Sequence, residues 1–194
     1  MYVDTMEIYL IRHTAVQTEK SVCYGQSDIP LSHTFQEDAV QVRNKLKKFD
    51  NGVIYSSPSQ RCFQLAELLL PGTLPILDER LMELNFGNWE LKKWEEINKT
   101  ELDPWMKDFV NVPCSGGESY KELHQRSTAF FKECISQPFE KVLIITHGGV
   151  IRSLLSFILQ VPLEKSFALQ IDYGKISKLK LMDKENIIVE YINN

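Results

Sequence analysis

Two short apolar runs constrain this chain more than anything else in it, because both stop abruptly on a histidine. Residues 7–13 read EIYLIRH and residues 141–147 read KVLIITH. Runs this short and this rich in Ile, Val and Leu read as buried strands. A turn of Gly, Asn or Ser would be the cheap continuation. Arg12-His13 instead places two groups that are costly to desolvate at a strand's end, which points to something that binds there. GVIYSS (52–57) and LPILDE (74–79) have the same strand character.

Between these runs, residues 33–49, 59–70, 89–109, 118–136 and 149–160 carry helical spacing. Ser57-Pro58 predicts a helix start, with Ser as N-cap and Pro at the first helical position. Ser119 and Glu122 fit a capping box opening the helix that ends near Ser136. After Pro162 the pattern turns to β, with FALQIDY (167–173), KISKLKLMD (175–183) and NIIVEYI (186–192), and a turn over Asp183–Glu185. No repeat, low-complexity tract or linker interrupts the alternation, so residues 1–194 are expected to form one domain. Strand-helix alternation closed by terminal strands predicts an α/β fold, a mainly parallel sheet with helices on both faces.

Composition narrows the partners. A net charge of −4 provides no basic surface, which disfavours nucleic acid and acidic membrane faces. No run approaches a membrane span. Cys23, Cys62, Cys114 and Cys134 are far apart, which reads as reduced thiols in a cytoplasmic protein. The amino terminus carries Asp4 and Glu7 where a signal peptide would carry Lys or Arg, so a cytoplasmic location is expected.

In an open α/β sheet, ligands bind beyond the carboxyl ends of the strands. The first strand delivers Arg12 and His13 there. The second delivers SSPSQR, with Arg61 in the first turn of the next helix. The third leads to Glu83 in a loop, and KVLIITH delivers His147 and then Gly148-Gly149 at a helix start. Any one of these has an ordinary structural explanation, a histidine after a strand being most often a cap or a packing group. Their convergence at one edge is what singles them out, whereas His33 and His124 lie within helical segments and read as structural.

Such a cluster suits phosphoryl transfer. Two arginines offer planar, permanently charged forks matched to phosphate oxygens. The helix after THGG adds backbone N–H groups and the positive end of its dipole. A neutral His13, with one ring nitrogen held as N–H, can attack phosphorus and form a phosphohistidine. His147 and the arginines would stabilise charge on the equatorial oxygens. Glu83 can protonate the leaving oxygen and later activate water. The chain has no Cys-x5-Arg, no G-x-x-x-x-G-K-[ST] loop, no Asp-x-Asp after an early strand and no metal-ligand spacing, so neither metal nor organic cofactor is expected.

With these residues in hand, the chain resembles the histidine phosphatase superfamily, which includes the cofactor-dependent phosphoglycerate mutases. LIRHT resembles its Arg-His signature, SSPSQRCFQLAE its second-arginine segment, ELNFGNWE its acid-bearing loop, SGGES its Gly-Glu-Ser turn and ITHGGVIR its second-histidine segment. The matches occur in family order from residue 6 to 152. The resemblance implies a three-layer α/β/α sandwich, His13 as phosphorylated nucleophile, Glu83 as proton donor, and Arg12, Arg61 and His147 as the phosphate pocket. Thr14, Tyr24, Gly25 and Gly148 are expected to bind substrate.

The chain departs from the family pattern in four places. Thr14 stands where Arg-His-Gly is usual, and Glu19 where many members have Asn, which makes CYG (23–25) the candidate to complete the pocket. Leu84 follows the acid where mutases carry Arg, and no Arg-Arg pair is present. Gly148-Gly149 stands where mutases place Asn. The missing carboxylate clamp and the short length favour hydrolysis of a small phosphorylated metabolite over mutase action, and the full set His13, Arg12, Arg61, Glu83 and His147 argues against a silent phosphate-binding module. Within the phosphatases, RHTAV…CYGQSDIPL most resembles α-ribazole phosphatase-like members, which act on α-ribazole 5′-phosphate in cobalamin nucleotide-loop assembly; a broad-specificity phosphatase is the alternative. Trp89, Trp94, Trp105 and Phe109 are of a kind that stacks on an aromatic base, but at helical spacing most of them are expected in the core.

Overall fold

Alternate residues of the first strand enter two different cores, and this sets the layering. The computed structural model describes residues 5–46, 49–50, 52–183 and 186–194. In β1 (Met6–Arg12), Met6, Ile8 and Leu10 face one side of the sheet, and Tyr9 and Ile11 the other. β4 (Lys141–Thr146) divides likewise, Val142 and Ile144 against Leu143 and Ile145. A strand buried on both faces needs apolar residues throughout, which explains the continuous runs.

The six strands lie in the order β3-β2-β4-β1-β5-β6. β2 (Val53–Ser56) and β3 (Ile76–Leu77) run parallel to β4 and β1. β5 (Ile176–Leu181) returns antiparallel beside β1, and β6 (Ile187–Tyr191) pairs antiparallel with β5. Helices α1 (Phe35–Lys45) and α2 (Gln60–Leu69) bury Phe35, Ala39, Val42, Leu65 and Leu69 on the Tyr9 side. Helices α4 (Tyr120–Cys134) and α5 (Gly148–Leu159) bury Leu123, Phe130, Phe131, Val150 and Leu154 on the other. The fold is the three-layer α/β/α arrangement expected.

Four expectations need correction, and each has a physical reason. The 74–79 run yields only two strand residues, because β3 is an edge strand with Ile76 and Leu77 half exposed. Asp78 then turns the chain by accepting from the Arg80 N–H. Residues 89–109 are not one helix: single 3-10 turns at Gly87–Trp89 and Trp94–Glu96 precede α3 (Lys99–Lys107). Leu91, with φ of 66°, breaks the periodicity between them. Helix α2 starts at Gln60, with Ser59 at the N-cap position and no side-chain cap bond, so Ser57-Pro58 is not its start; Ser57 is used elsewhere, as shown below. Residues 167–173 form no strand. Leu163–Ala168 is a 3-10 turn, and the carbonyls of Leu169 and Ile171 are taken by Arg152 and Arg12 instead of by a neighbouring strand. Lys47 and Lys48 of the first predicted helix and Lys184-Glu185 of the predicted turn lie outside the described residues.

The capping box of α4 forms as the sequence predicts: Ser119 Oγ accepts from the Glu122 N–H, and the Glu122 carboxylate accepts from the Ser119 N–H at 2.7 Å. Ser119→Ala should therefore lower stability by about 1 kcal/mol, read as a shifted urea midpoint with unchanged slope. An unchanged midpoint would mean that the box contributes nothing.

Candidate active site

Strand register places the site before any side chain is considered. Arg12 pairs with Thr146 across β1 and β4. The His13 N–H donates to the Thr146 carbonyl at 3.0 Å, and the Ser57 N–H to the Ile145 carbonyl at 2.9 Å. Three parallel chains thus leave the sheet at one level, and Ser57, His147 and His13 emerge side by side. The two imidazole centroids are 5.2 Å apart.

His13 is buried, with Nδ1 2.7 Å from the Thr14 carbonyl. A carbonyl only accepts, so Nδ1 carries the proton and Nε2 keeps the free lone pair. The Arg61 Nε–H donates to that nitrogen at 3.3 Å. Burial, followed by the positive charges of Arg61 and Arg12, holds the His13 pKa well below its usual 6.5. His13 is therefore neutral at neutral pH.

Arg61 is 1% exposed and has no acidic partner among the described residues. Its guanidinium donates to the carbonyls of Ser27, at 2.9 Å, and Gly25, and to His147 Nδ1 at 3.2 Å. Because Arg cannot accept, His147 Nδ1 accepts and Nε2 carries the proton, which it donates to Ser57 Oγ at 2.8 Å. Ser57 Oγ–H in turn donates to Ser59 Oγ at 3.2 Å. A one-way chain thus runs from Arg61 through His147 to Ser59. Burial, then Arg61, holds the His147 pKa well below 6.5 as well.

The loop that supplies the carbonyls is itself fastened. The Glu90 carboxylate accepts from the N–H groups of Gly25 and Gln26, both at 2.9 Å, and of Ser27 at 3.2 Å. A Cβ on Gly25 would stand 1.8 Å from the Leu84 carbonyl, so only glycine fits there.

Glu83 sits at the start of α5. Its carboxylate accepts from the Leu84 N–H and from the Gly149 N–H, both at 3.0 Å. Arg126, paired with Glu118 at 2.6 Å, donates to the carbonyls of Arg80, Met82 and Glu83 and so fixes the loop. Arg12 lies 3.6 Å from the centre of the Tyr173 ring and donates to the Ile171 carbonyl at 2.7 Å, while its buried Nε has no partner.

These groups line one end of a chamber of about 300 Å³. Its other walls are largely aromatic, including Phe86, Trp94, Trp105, Phe109, Tyr120 and Phe167. The structure thus brings Arg12, His13, Arg61, Glu83 and His147 together. Tyr24 also lines the chamber, its ring 5.5 Å from the Arg61 guanidinium and its hydroxyl 2.7 Å from that of Tyr173. Gly25 contributes its carbonyl. Gly148 lets α5 approach Arg12, since a Cβ there would lie 3.3 Å from the guanidinium carbon.

Thr14 is not among the residues that line this chamber: it borders a neighbouring cavity of about 250 Å³ with Lys45 and Lys175, its carbonyl serves His13, and its buried hydroxyl has no hydrogen-bond partner. The aromatic segment departs from expectation. Trp89 is core, but Trp94, Trp105 and Phe109 are half-buried and line the chamber. Glu19 is remote, paired with Lys93 at 3.1 Å on the surface. Sequence reasoning missed Ser57, Glu90, Arg126 and Arg152. All but Arg126 fall inside the motif segments, one turn or less from a residue that was singled out. The four cysteines are buried and unpaired, and burial pushes the Cys62 thiol up to about 12. Among the described residues no helix is long and apolar enough to cross a membrane.

The family model of the histidine phosphatase superfamily (branch 1) matches residues 8–194. The chain belongs to that superfamily. It is 32% identical over 166 residues to an Escherichia coli protein named probable phosphoglycerate mutase GpmB, covering 81% of this chain and 76% of that one. The crystal structure of the α-ribazole phosphatase from Shigella flexneri superposes with a TM-score of 0.89 over 97% of this chain and 96% of that one, at 23% identity. Bacillus stearothermophilus YhfR superposes with a TM-score of 0.85 at 26% identity, over 95% of each chain. The enzyme is a phosphoglycerate mutase-like histidine phosphatase.

Two measurements follow from the geometry. Unfolded imidazoles take up protons near pH 6.5, whereas those of His13 and His147 stay neutral in the folded state to well below that value. The unfolded chain then binds more protons, so stability should fall as pH drops below about 6.5. Replacing His13 by Gln should flatten this slope, and a slope that stays the same would contradict the assigned direction. Gly149→Ala would set a Cβ 2.3 Å from Glu83 Oε1 and displace the carboxylate. Turnover should fall toward that of Glu83→Gln, about 100-fold below the parent enzyme, with the fold intact by circular dichroism.

Proposed function

We propose that this enzyme is a metal-independent phosphomonoesterase that works through a phosphohistidine on His13. The observation that carries the reading is the tautomer: the Thr14 carbonyl holds the proton on Nδ1 and leaves the Nε2 lone pair beside Arg61, in the chamber that also holds Glu83. An arriving phosphate dianion draws the Arg61 and Arg12 guanidiniums onto its oxygens. His13 Nε2 then forms a bond to phosphorus as the bond to the ester oxygen breaks, and protonated Glu83 donates its proton to that oxygen. In the second step ionised Glu83 takes a proton from water, whose oxygen attacks phosphorus and breaks the P–N bond. Neutral His13 and phosphate result.

Leu84 supports hydrolysis over mutase action. It is 6% exposed and lines the chamber directly after the acid, an apolar wall where a mutase needs a cation. The aromatic walls favour a leaving group with a flat ring, which supports α-ribazole 5′-phosphate, the substrate class of one fold neighbour's name, as a second, narrower reading. The unpaired thiols support a reducing, cytoplasmic setting, with a small phosphorylated metabolite as the partner.

His13→Ala should abolish turnover, and labelled substrate should yield an alkali-stable, acid-labile phosphoenzyme. Excess EDTA should leave the rate unchanged. Full activity of the His13 variant, or loss in EDTA, would overturn the mechanism. A panel of α-ribazole 5′-phosphate, 3-phosphoglycerate, sugar phosphates and nucleotides tests the narrower reading, which fails if all turn over at comparable slow rates. A rearranged phosphoglycerate product would restore the mutase.

A further inference from the structure

Three guanidiniums line the chamber, and only two of them are committed to the phosphate pocket. The third, on Arg152 in the second turn of α5, is half-buried. Its Nε donates to the Leu169 carbonyl at 2.9 Å, and its guanidinium carbon lies 5.1 Å from the centre of the Phe167 ring, so two contacts hold it in place. Its two terminal nitrogens have no hydrogen-bond acceptor among the described residues, and no acidic side chain among them forms an ion pair with it. Burial, then the neighbouring Arg12 charge, disfavour its cationic form and outweigh the favourable influence of Glu83, Tyr120 and Asp172, none of which reaches it as an ion pair. A half-buried cation held in no ion pair, beside a second cation, calls for an anion from outside the chain.

The charge balance says which kind. Arg12, Arg61 and Arg152 face a single carboxylate, Glu83, in the chamber. The proposed first step requires Glu83 protonated, hence neutral. A phosphate dianion held by Arg12 and Arg61 then leaves one positive charge over, on Arg152. One monoanion neutralises it, and a carboxylate matches a guanidinium fork with two parallel hydrogen bonds.

We infer that Arg152 forms a second anion subsite and that the preferred substrate is a phosphomonoester whose leaving group carries a carboxylate. This deepens the phosphomonoesterase reading and rests on it. It also separates that reading from α-ribazole 5′-phosphate, whose neutral leaving group would leave Arg152 unpaired. Arg152 thus selects the substrate, while the chemistry stays with His13 and Glu83.

The test is equilibrium binding to the full-length His13→Ala variant, which cannot form the phosphoenzyme. Titration calorimetry would compare O-phosphoserine with phosphoethanolamine, and 3-phosphoglycerate with glycerol 3-phosphate, pairs that differ by one carboxylate. The acid-bearing member of at least one pair should bind about 10- to 100-fold more tightly. Adding Arg152→Gln should bring that pair within about twofold and leave the carboxylate-free member unchanged, whereas Arg152→Lys should keep part of the preference. No preference in either pair overturns the subsite, as does a preference that survives Arg152→Gln. Equal weakening of both members also overturns it, by placing Arg152 in the phosphate pocket. Turnover by the parent enzyme is read separately: its absence alongside a carboxylate preference would sink the phosphatase reading and leave the subsite standing.

Discussion

The structure depends on a buried positive charge that the protein does not neutralise. Arg61 is almost wholly enclosed, and its guanidinium is met by carbonyl dipoles and two neutral imidazoles, with no carboxylate among its partners. A charge in that position is expensive, and pairing it internally would be the ordinary solution. Leaving it to dipoles reserves its full charge for an incoming anion. The surroundings follow from this choice. Glu90 ties down the loop that presents the Gly25 and Ser27 carbonyls, and His147, turned by Ser57, presents a bare nitrogen where a protonated one would repel.

Rigidity comes from layers behind the reacting groups. Register between β1 and β4 sets the spacing of the two histidines. Arg126 and Glu118 fix the backbone that carries Glu83, and the N–H groups of Gly149 in α5 and of Leu84 fix its carboxylate. Supporting groups of this kind keep reacting atoms within the small tolerances that phosphoryl transfer requires.

Much of this was legible in the sequence, because burial on both faces writes an unbroken apolar run and a site at the strand ends breaks it with charge. IYLIRH and VLIITH carried both signals at once. The failures share a cause: local pattern does not reveal a distant partner. Ser57-Pro58 reads as a helix start, yet its hydroxyl is claimed by a histidine 90 residues away. FALQIDY alternates as a strand does, but two arginines take its carbonyls. Trp94, Trp105 and Phe109 have core spacing, and only the tertiary arrangement shows that a chamber opens beside them. Thr14 stands next to His13 in sequence, yet it borders another cavity.

The hydrogen bond from Arg61 to His13 Nε2 has a consequence for selectivity. In the resting enzyme the reactive lone pair is occupied, by a bond long enough at 3.3 Å to be surrendered readily. What removes the guanidinium is a better acceptor, and a phosphate oxygen is one. On the proposed mechanism, neutral electrophiles that reach the chamber would meet a masked nitrogen, while an anionic ester would uncover its own nucleophile as it binds. The same arginine serves as safety catch and as trigger.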